Sequence, residues 1–205
     1  MLKVSLSFDD SLVDQFKWAR TMALLNLKGV FYVSPGRLNR PPNFKRCEWF
    51  LTEEHVERMA KWGHTIGNHT WDHEAPGMVG VADTVASIEK AAEWLAERSY
   101  ASKLLALPFG SRGGKWPQGL LSDLITEGYI LRDVRFENDA PDLKLPCSAA
   151  LESTVFPDLD FSGIDYRYFH GNHATSDDDL ADFLYGLNEL RSAGRLSVVL
   201  PTEGD

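Results

Sequence analysis

Residues 4–33, VSLSFDDSLVDQFKWARTMALLNLKGVFYV, decide the fold. Val4, Leu6 and Phe8 alternate with polar residues, the two-residue period of a half-buried strand. Leu12, Phe16, Ala19, Ala23 and Leu27 then recur at helical spacing. Val30-Phe31-Tyr32-Val33 is a short buried strand, and Gly29 stands before it, where a left-handed residue ends a helix cheaply. Strand, helix and strand in about 30 residues is a βαβ unit.

The same rhythm runs outward along the chain. Thr52 is placed to cap a helix, with Glu53 and Glu54 in its first turn, where the helix dipole favours anions, and Val56, Met59 and Ala60 on its apolar face. Thr65-Ile66 reads as a strand, and Val81, Val85, Ile88, Ala92 and Leu95 mark a longer helix. Leu104 to Leu107 is a strand halted by Pro108, Leu120 to Ile125 a helix, and Tyr129 to Leu131 a strand. Tyr166 to Phe169, the helix through Leu180, Phe183, Leu184, Leu187 and Leu190, and the strand Leu196 to Leu200 complete the pattern. Gly63, Gly128 and Gly194 repeat the position of Gly29 between a helix and the next strand. Together these junctions predict a largely parallel sheet. Two Pro-containing stretches, 34–50 and 137–163, break the rhythm and read as long loops of the kind that line sites.

Composition narrows the function classes. The chain has 205 residues, 43% hydrophobic and 25% charged, which excludes a disordered polymer. Residues 1–205 are expected to form a single catalytic domain. The net charge of -9 argues against a nucleic-acid partner, and no apolar run reaches the length that spans a bilayer. The chain opens directly on a strand with no signal peptide, so as given it reads as cytoplasmic, with secretion left open. Cys47 and Cys147, 100 positions apart, form no disulfide framework and read as free thiols.

Chemistry-bearing residues gather just past the strands. Asp9 and Asp10 end the first strand and point in different directions, so one can bind a metal while the other handles a proton, although an Asp-Asp pair also suits a helix N-terminus. His69 and His73, four apart after the third strand, can grip one cation, and Asp10 would complete a two-His, one-carboxylate set with open positions. Pro108, Phe109 and Gly110 end the fourth strand, where backbone N–H groups can face an oxyanion or simply make a turn. Asp133 and His170 follow later strands, and a histidine there can act as a general acid or be a satisfied half-buried side chain. In a (β/α) barrel the C-terminal strand ends converge on one face. Trp49, Trp71 and Trp116 could stack on sugars or belong to the core.

These stretches resemble the motifs of the polysaccharide deacetylase family, also called the NodB-homology or carbohydrate esterase family 4 group. Ser7-Phe8-Asp9-Asp10 resembles its Thr-Phe-Asp-Asp motif, and Gly67-Asn68-His69-Thr70-Trp71-Asp72-His73 its Gly-Asn-His-Ser/Thr-x-x-His motif, the most specific match. Leu107-Pro108-Phe109-Gly110 is similar to the tail of its Arg-x-Pro-Tyr-Gly motif, and Phe169-His170-Gly171 to its late Leu-His motif. The resemblance implies an α/β fold, a distorted (β/α) barrel of about seven parallel strands. It also implies a divalent metal, usually zinc, held by Asp10, His69 and His73, with Asp9 as general base, His170 as general acid and the Phe109 N–H on the oxyanion. Pro108, Gly110, Asp133 and Trp71 would then line the substrate site. The substrate would be an acetylated carbohydrate or a small amide. A relative acting on another non-peptide C–N bond, and a non-catalytic carbohydrate-binding relative, are the competing readings.

The chain departs from the family at one motif in particular. Ala106 stands where the family has an arginine that pairs with the catalytic aspartate. Arg112, Arg132 and Arg135 are the candidates to supply that charge from another place. Asp133 sits in the family's fourth motif without its usual partner, and Arg135-Phe136 follows where that motif has a tryptophan.

Overall fold

The computed structural model describes residues 2–42, 49–132, 164–169 and 177–199. Seven strands share one sheet: β1 (Leu2–Phe8), β2 (Val30–Val33), β3 (Thr65–Asn68), β4 (Ala101–Ala106), β5 (Ile130–Arg132), β6 (Ile164–Phe169) and β7 (Leu196–Val198). The order is β5-β4-β3-β2-β1-β6, with β7 also on β1, and all these pairings are parallel. The connections are helical: α1 (Asp14–Leu24), α2 (Glu53–Lys61), α3 (Pro76–Val79), α4 (Val81–Glu97), α5 (Gly110–Gly113), α6 (Gln118–Thr126) and α7 (Asp177–Ser192). In a flat sheet β5 and β1, four spacings apart, would lie about 19 Å from each other. Here one arginine side chain bridges them, so the sheet curls into a distorted (β/α) barrel, as the sequence implied.

The two-residue period sorts the strands into two buried layers. Val4, Leu6 and Phe8 of β1 and Phe31 and Val33 of β2 pack outward against Trp18 and Met22 of α1, Val56 and Met59 of α2, and Phe183 and Leu187 of α7. Val30, Tyr32, Leu104 and Ala106 form an inner cluster drawn from strands alone, the barrel interior. The strand β1 is not half-buried as its alternation suggested. Its polar positions, Ser5, Ser7 and the following Asp9, are at most 1% exposed, because the second face of the curled sheet looks into the barrel interior rather than to water.

Local signals acted as expected, with two differences. Thr52 caps α2, its hydroxyl accepting from the His55 N–H while its own N–H donates to His55 Nδ1, so a histidine completes a capping box usually closed by Glu or Gln. Gly63, Gly128 and Gly194 adopt φ of 88°, 84° and 71° after their helices. After α1, however, Asn26 takes the left-handed position at φ 53°, and Gly29 serves close packing instead. A Cβ on Gly29 would lie 2.7 Å from Met22 Cε and 3.1 Å from the Leu6 carbonyl. The second difference is the rotation of α1. It starts at Asp14 and buries Gln15, Trp18, Ala19 and Met22, whereas Phe16 and Ala23 are only partly buried and Leu12 precedes the helix, bridging to Phe50. Both stripes satisfy helical spacing, and the one carrying the large Trp18 and Met22 faces the sheet.

The stretch 34–50 holds a short 3-10 turn at Pro35–Arg37, with residues 43–48 outside the description. The expected irregular stretch 137–163, both cysteines, Asp133, Arg135 and His170 also lie outside the described residues. Among the described residues no helix is long and apolar enough to cross a membrane.

Candidate active site

Backbone strain marks the C-terminal rim of the sheet. Five of the nine non-glycine residues with positive φ among the described residues stand there: Asp10 (75°), Ser11 (60°), Thr70 (61°), His73 (63°) and Phe109 (62°). Each such conformation costs roughly 1–3 kcal/mol and persists only where the surroundings over-determine it. The bonds that hold this rim are visible. Ser11 Oγ accepts from the Ser34 N–H at 2.8 Å, Ser34 Oγ donates to the His69 carbonyl at 2.9 Å, and the His69 N–H donates to the Val33 carbonyl at 2.9 Å. The ends of β1, β2 and β3 are thus stitched together.

Asp10, His69 and His73 converge, their ligand atoms all within 4.8 Å of one another. Asp10 Oδ1 lies 3.2 Å from His69 Nε2 and 2.9 Å from His73 Nε2. His69 Nδ1 is 2.9 Å from the Ala106 carbonyl, which can only accept, so Nδ1 donates there and Nε2 is the ring nitrogen that faces the cluster. Burial pushes the His73 imidazole below its ordinary pKa, with the nearby His69 and Arg37 acting in the same sense and the Asp10 carboxylate opposing. Two imidazoles and a carboxylate, with their ligand atoms converging, form a donor set that suits a divalent cation with open positions, and the backbone bond to Nδ1 is the usual orienting contact of a ligating histidine. The residues fit a metal. Among the described residues this is the one cluster of His, Cys, Asp or Glu with that property.

Asp9 adjoins the cluster, its Oδ2 3.9 Å from His69 Nε2, and it is 1% exposed. Arg132 Nη2 donates to that same Oδ2. Gln15 Nε2, from α1, donates to the Asp9 carbonyl. Asp9 Oδ1 is buried and has no hydrogen-bond partner among the described residues. Arg132 pairs in register with Ala106, so both side chains share the inner face, and its guanidinium lies over the Tyr32 ring at 5.2 Å.

The rest of the rim is more mixed. Phe109 is 42% exposed, and its ring meets His73 edge-on at 4.5 Å. Gly110 donates its N–H to the Leu107 carbonyl, and the Pro108 carbonyl accepts from Trp116 Nε1, which places Trp116 in the core beside Leu105 and Leu120. Trp71 packs its edge on Gly36, whose N–H donates to the Trp71 carbonyl at 2.7 Å, and Lys90 of α4 covers one ring face at 3.9 Å. That face is not open to a sugar. Trp49, 43% exposed, is tied to the start of α1 by the bond from the Val13 N–H to its carbonyl.

A family model described as polysaccharide deacetylase matches residues 2–122, more than half of the chain. The chain belongs to the polysaccharide deacetylase family. Compared with curated proteins, the sequence has no significant match. Solved structures share its fold. The polysaccharide deacetylase Bc1974 from Bacillus cereus is 19% identical with a TM-score of 0.68, over 99% of this chain and 93% of that one. The family 4 carbohydrate esterase from Streptomyces lividans, solved with acetate, is 15% identical with a TM-score of 0.65, over 98% and 93%. The peptidoglycan N-acetylglucosamine deacetylase Bc1960 is 21% identical with a TM-score of 0.66, over 96% and 86%.

Within this polysaccharide deacetylase domain, Arg132 lies beyond the matched residues and meets Asp9; of the other two candidate arginines, Arg135 lies outside the described residues. Arg112 is exposed on α5. Three further residues went unseen in the sequence. Gln15 left a signal, a polar residue on the buried stripe of α1. Arg37, whose Nη1 is 4.0 Å from Asp10 Oδ1, and Glu74, which binds the turn before it, sit in irregular segments where no periodicity exists to betray them.

Proposed function

We propose that this chain is a metal-dependent hydrolase that removes the acetyl group from an N-acetylated sugar or polysaccharide. The observation that carries the reading is Asp9, a buried carboxylate with one oxygen paired to Arg132 and the other unpartnered among the described residues, beside the Asp10-His69-His73 cluster. Family membership and the deacetylases that share the fold support it.

A divalent cation, zinc by the family resemblance, held by Asp10, His69 and His73, would supply Lewis acidity to the acetyl carbonyl and acidify a water. Asp9 Oδ1 takes the proton of the attacking water, while Arg132 holds the other carboxylate oxygen and Gln15 holds the Asp9 backbone carbonyl. The carbonyl carbon becomes tetrahedral, and the Phe109 N–H donates to its oxygen as negative charge develops. The C–N bond then breaks, the amine leaves with a proton that the family resemblance assigns to His170, and acetate remains. Pro108, Gly110 and Asp133 are assigned to the surrounding substrate site on the same ground.

The test is acetate release from N-acetylglucosamine oligomers, measured with metal content before and after treatment with a chelator. Release that stops on metal removal and returns with zinc supports the proposal. Bound metal without turnover on any acetamide would instead make this a carbohydrate-binding relative.

A further inference from the structure

The turn that carries His73 is held by side chains rather than by a backbone ladder. Four of its N–H groups are satisfied this way. Thr70 donates to Asn68 Oδ1 at 2.8 Å, Trp71 to Ser87 Oγ at 2.8 Å, Asp72 to Glu74 Oε2 at 2.7 Å, and Glu74 to Thr70 Oγ1 at 2.9 Å. Glu74 Oε2 is the hub: it also accepts from Ser87 Oγ at 2.6 Å and lies 3.4 Å from Thr70 Oγ1. Ser87 is on α4, and Asn68 Nδ2 donates to the Ile88 carbonyl on the same helix at 3.0 Å. The turn is therefore bolted to α4 at Ser87, which accepts from the Trp71 N–H and donates to the Glu74 carboxylate.

The three members of the cluster are anchored unequally. His69 follows β3 directly and is fixed at both ring and backbone, through the Ala106 and Val33 carbonyls. Asp10 lies two residues beyond the end of β1. His73 lies five residues beyond the end of β3, in a left-handed conformation that the backbone alone disfavours. Its place relative to the other two depends on the turn.

We propose that Glu74 is a positioning residue for the metal centre: its carboxylate, braced on Ser87, holds His73 at the spacing needed to share one cation with Asp10 and His69. This rests on the metal-dependent reading above. Deleting the carboxylate leaves the Asp72 N–H and the Ser87 hydroxyl without their acceptor and frees the turn to carry His73 away. An amide in its place keeps an oxygen that can accept from both groups.

The experiment is zinc affinity by chelator competition, with thermal unfolding of the metal-free protein and the visible spectrum of the cobalt(II)-loaded protein, for wild type, Glu74→Ala, Glu74→Gln and Ser87→Ala. Zinc affinity should fall at least tenfold in Glu74→Ala, with a changed cobalt spectrum, and fall less in Glu74→Gln; Ser87→Ala should shift in the same direction as Glu74→Ala. Should Glu74→Ala not fold, the Gln and Ser87 variants decide by the same measurements. Lower thermal stability with wild-type zinc affinity and spectrum would show a merely structural role and overturn the proposal, as would equal losses in Glu74→Ala and Glu74→Gln. A wild-type protein that binds no zinc or other divalent ion sinks the underlying functional reading instead.

Discussion

Arg132, the last residue of β5, donates its Nη2 to Oδ2 of Asp9, 123 residues earlier in the chain, from the register position directly opposite Ala106. The family's arginine would come from the position of Ala106 itself. Here the cation arrives from the neighbouring strand. Both partners are buried, 5% and 1% exposed. Removing one member of such a pair leaves a charge without compensation, which costs about 3–5 kcal/mol.

Arg132→Ala is accordingly expected to lower both stability and deacetylation, the latter by about a hundredfold or more. Adding Ala106→Arg to that variant should recover part of each, since the new guanidinium starts on the same inner face. Thermal unfolding and acetate-release kinetics on the two variants check this. Unchanged kinetics in Arg132→Ala would remove the arginine from the machinery.

Asp9→Asn keeps the size of the side chain and removes its ability to take a proton. The expected outcome is a loss of turnover of about 10²–10⁴-fold with zinc content unchanged, because the cluster uses Asp10. Metal analysis beside single-turnover assays tests it. A variant turning over at the full rate is incompatible with Asp9 as the base.

His64 is a structural histidine with a pH signature. Burial pushes its pKa down to about 4, with Lys28 acting in the same direction and the bond to the Ala19 carbonyl opposing. Nε2 lies 2.8 Å from that carbonyl, and Nδ1 accepts from the Gly29 N–H at 3.3 Å, so the folded protein holds the neutral ring. The unfolded chain, with an ordinary value of 6.5, binds the proton first as pH falls. Its contribution is complete above pH 6.5 and is lost progressively down to about pH 4, on the order of 3 kcal/mol in all. Urea unfolding across this range should show that loss in the wild type and a shallower one in His64→Gln; identical slopes would discount His64 as the source.

Gly36 supports the site from the other side of the turn. A Cβ there would stand 2.7 Å from both Cδ1 and the carbonyl oxygen of Trp71. Gly36→Ala should therefore destabilise by about 1–3 kcal/mol, the usual cost of overpacking, and weaken zinc binding by shifting the turn that holds His73. Thermal unfolding with zinc titration measures both effects, and an unperturbed variant would show that the contact yields freely.

What the sequence by itself determined was the parallel order of strands and helices, the caps, and the identity of the clustered groups. Those follow from local causes: a two- or 3.6-residue period, a glycine able to turn left, a threonine that accepts a helix N–H. Asp9, Asp10, His69 and His73 were legible because each sits just past a strand, and parallel strands bring those ends to one rim. Only the tertiary structure decided that Arg132 meets Asp9, that β1 is buried on both faces, that Trp71 lies under Lys90, and that Glu74 braces the His73 turn. These depend on the curl of the sheet and on contacts between residues far apart in the chain or set in irregular turns, where no period in the sequence records which neighbour closes the distance.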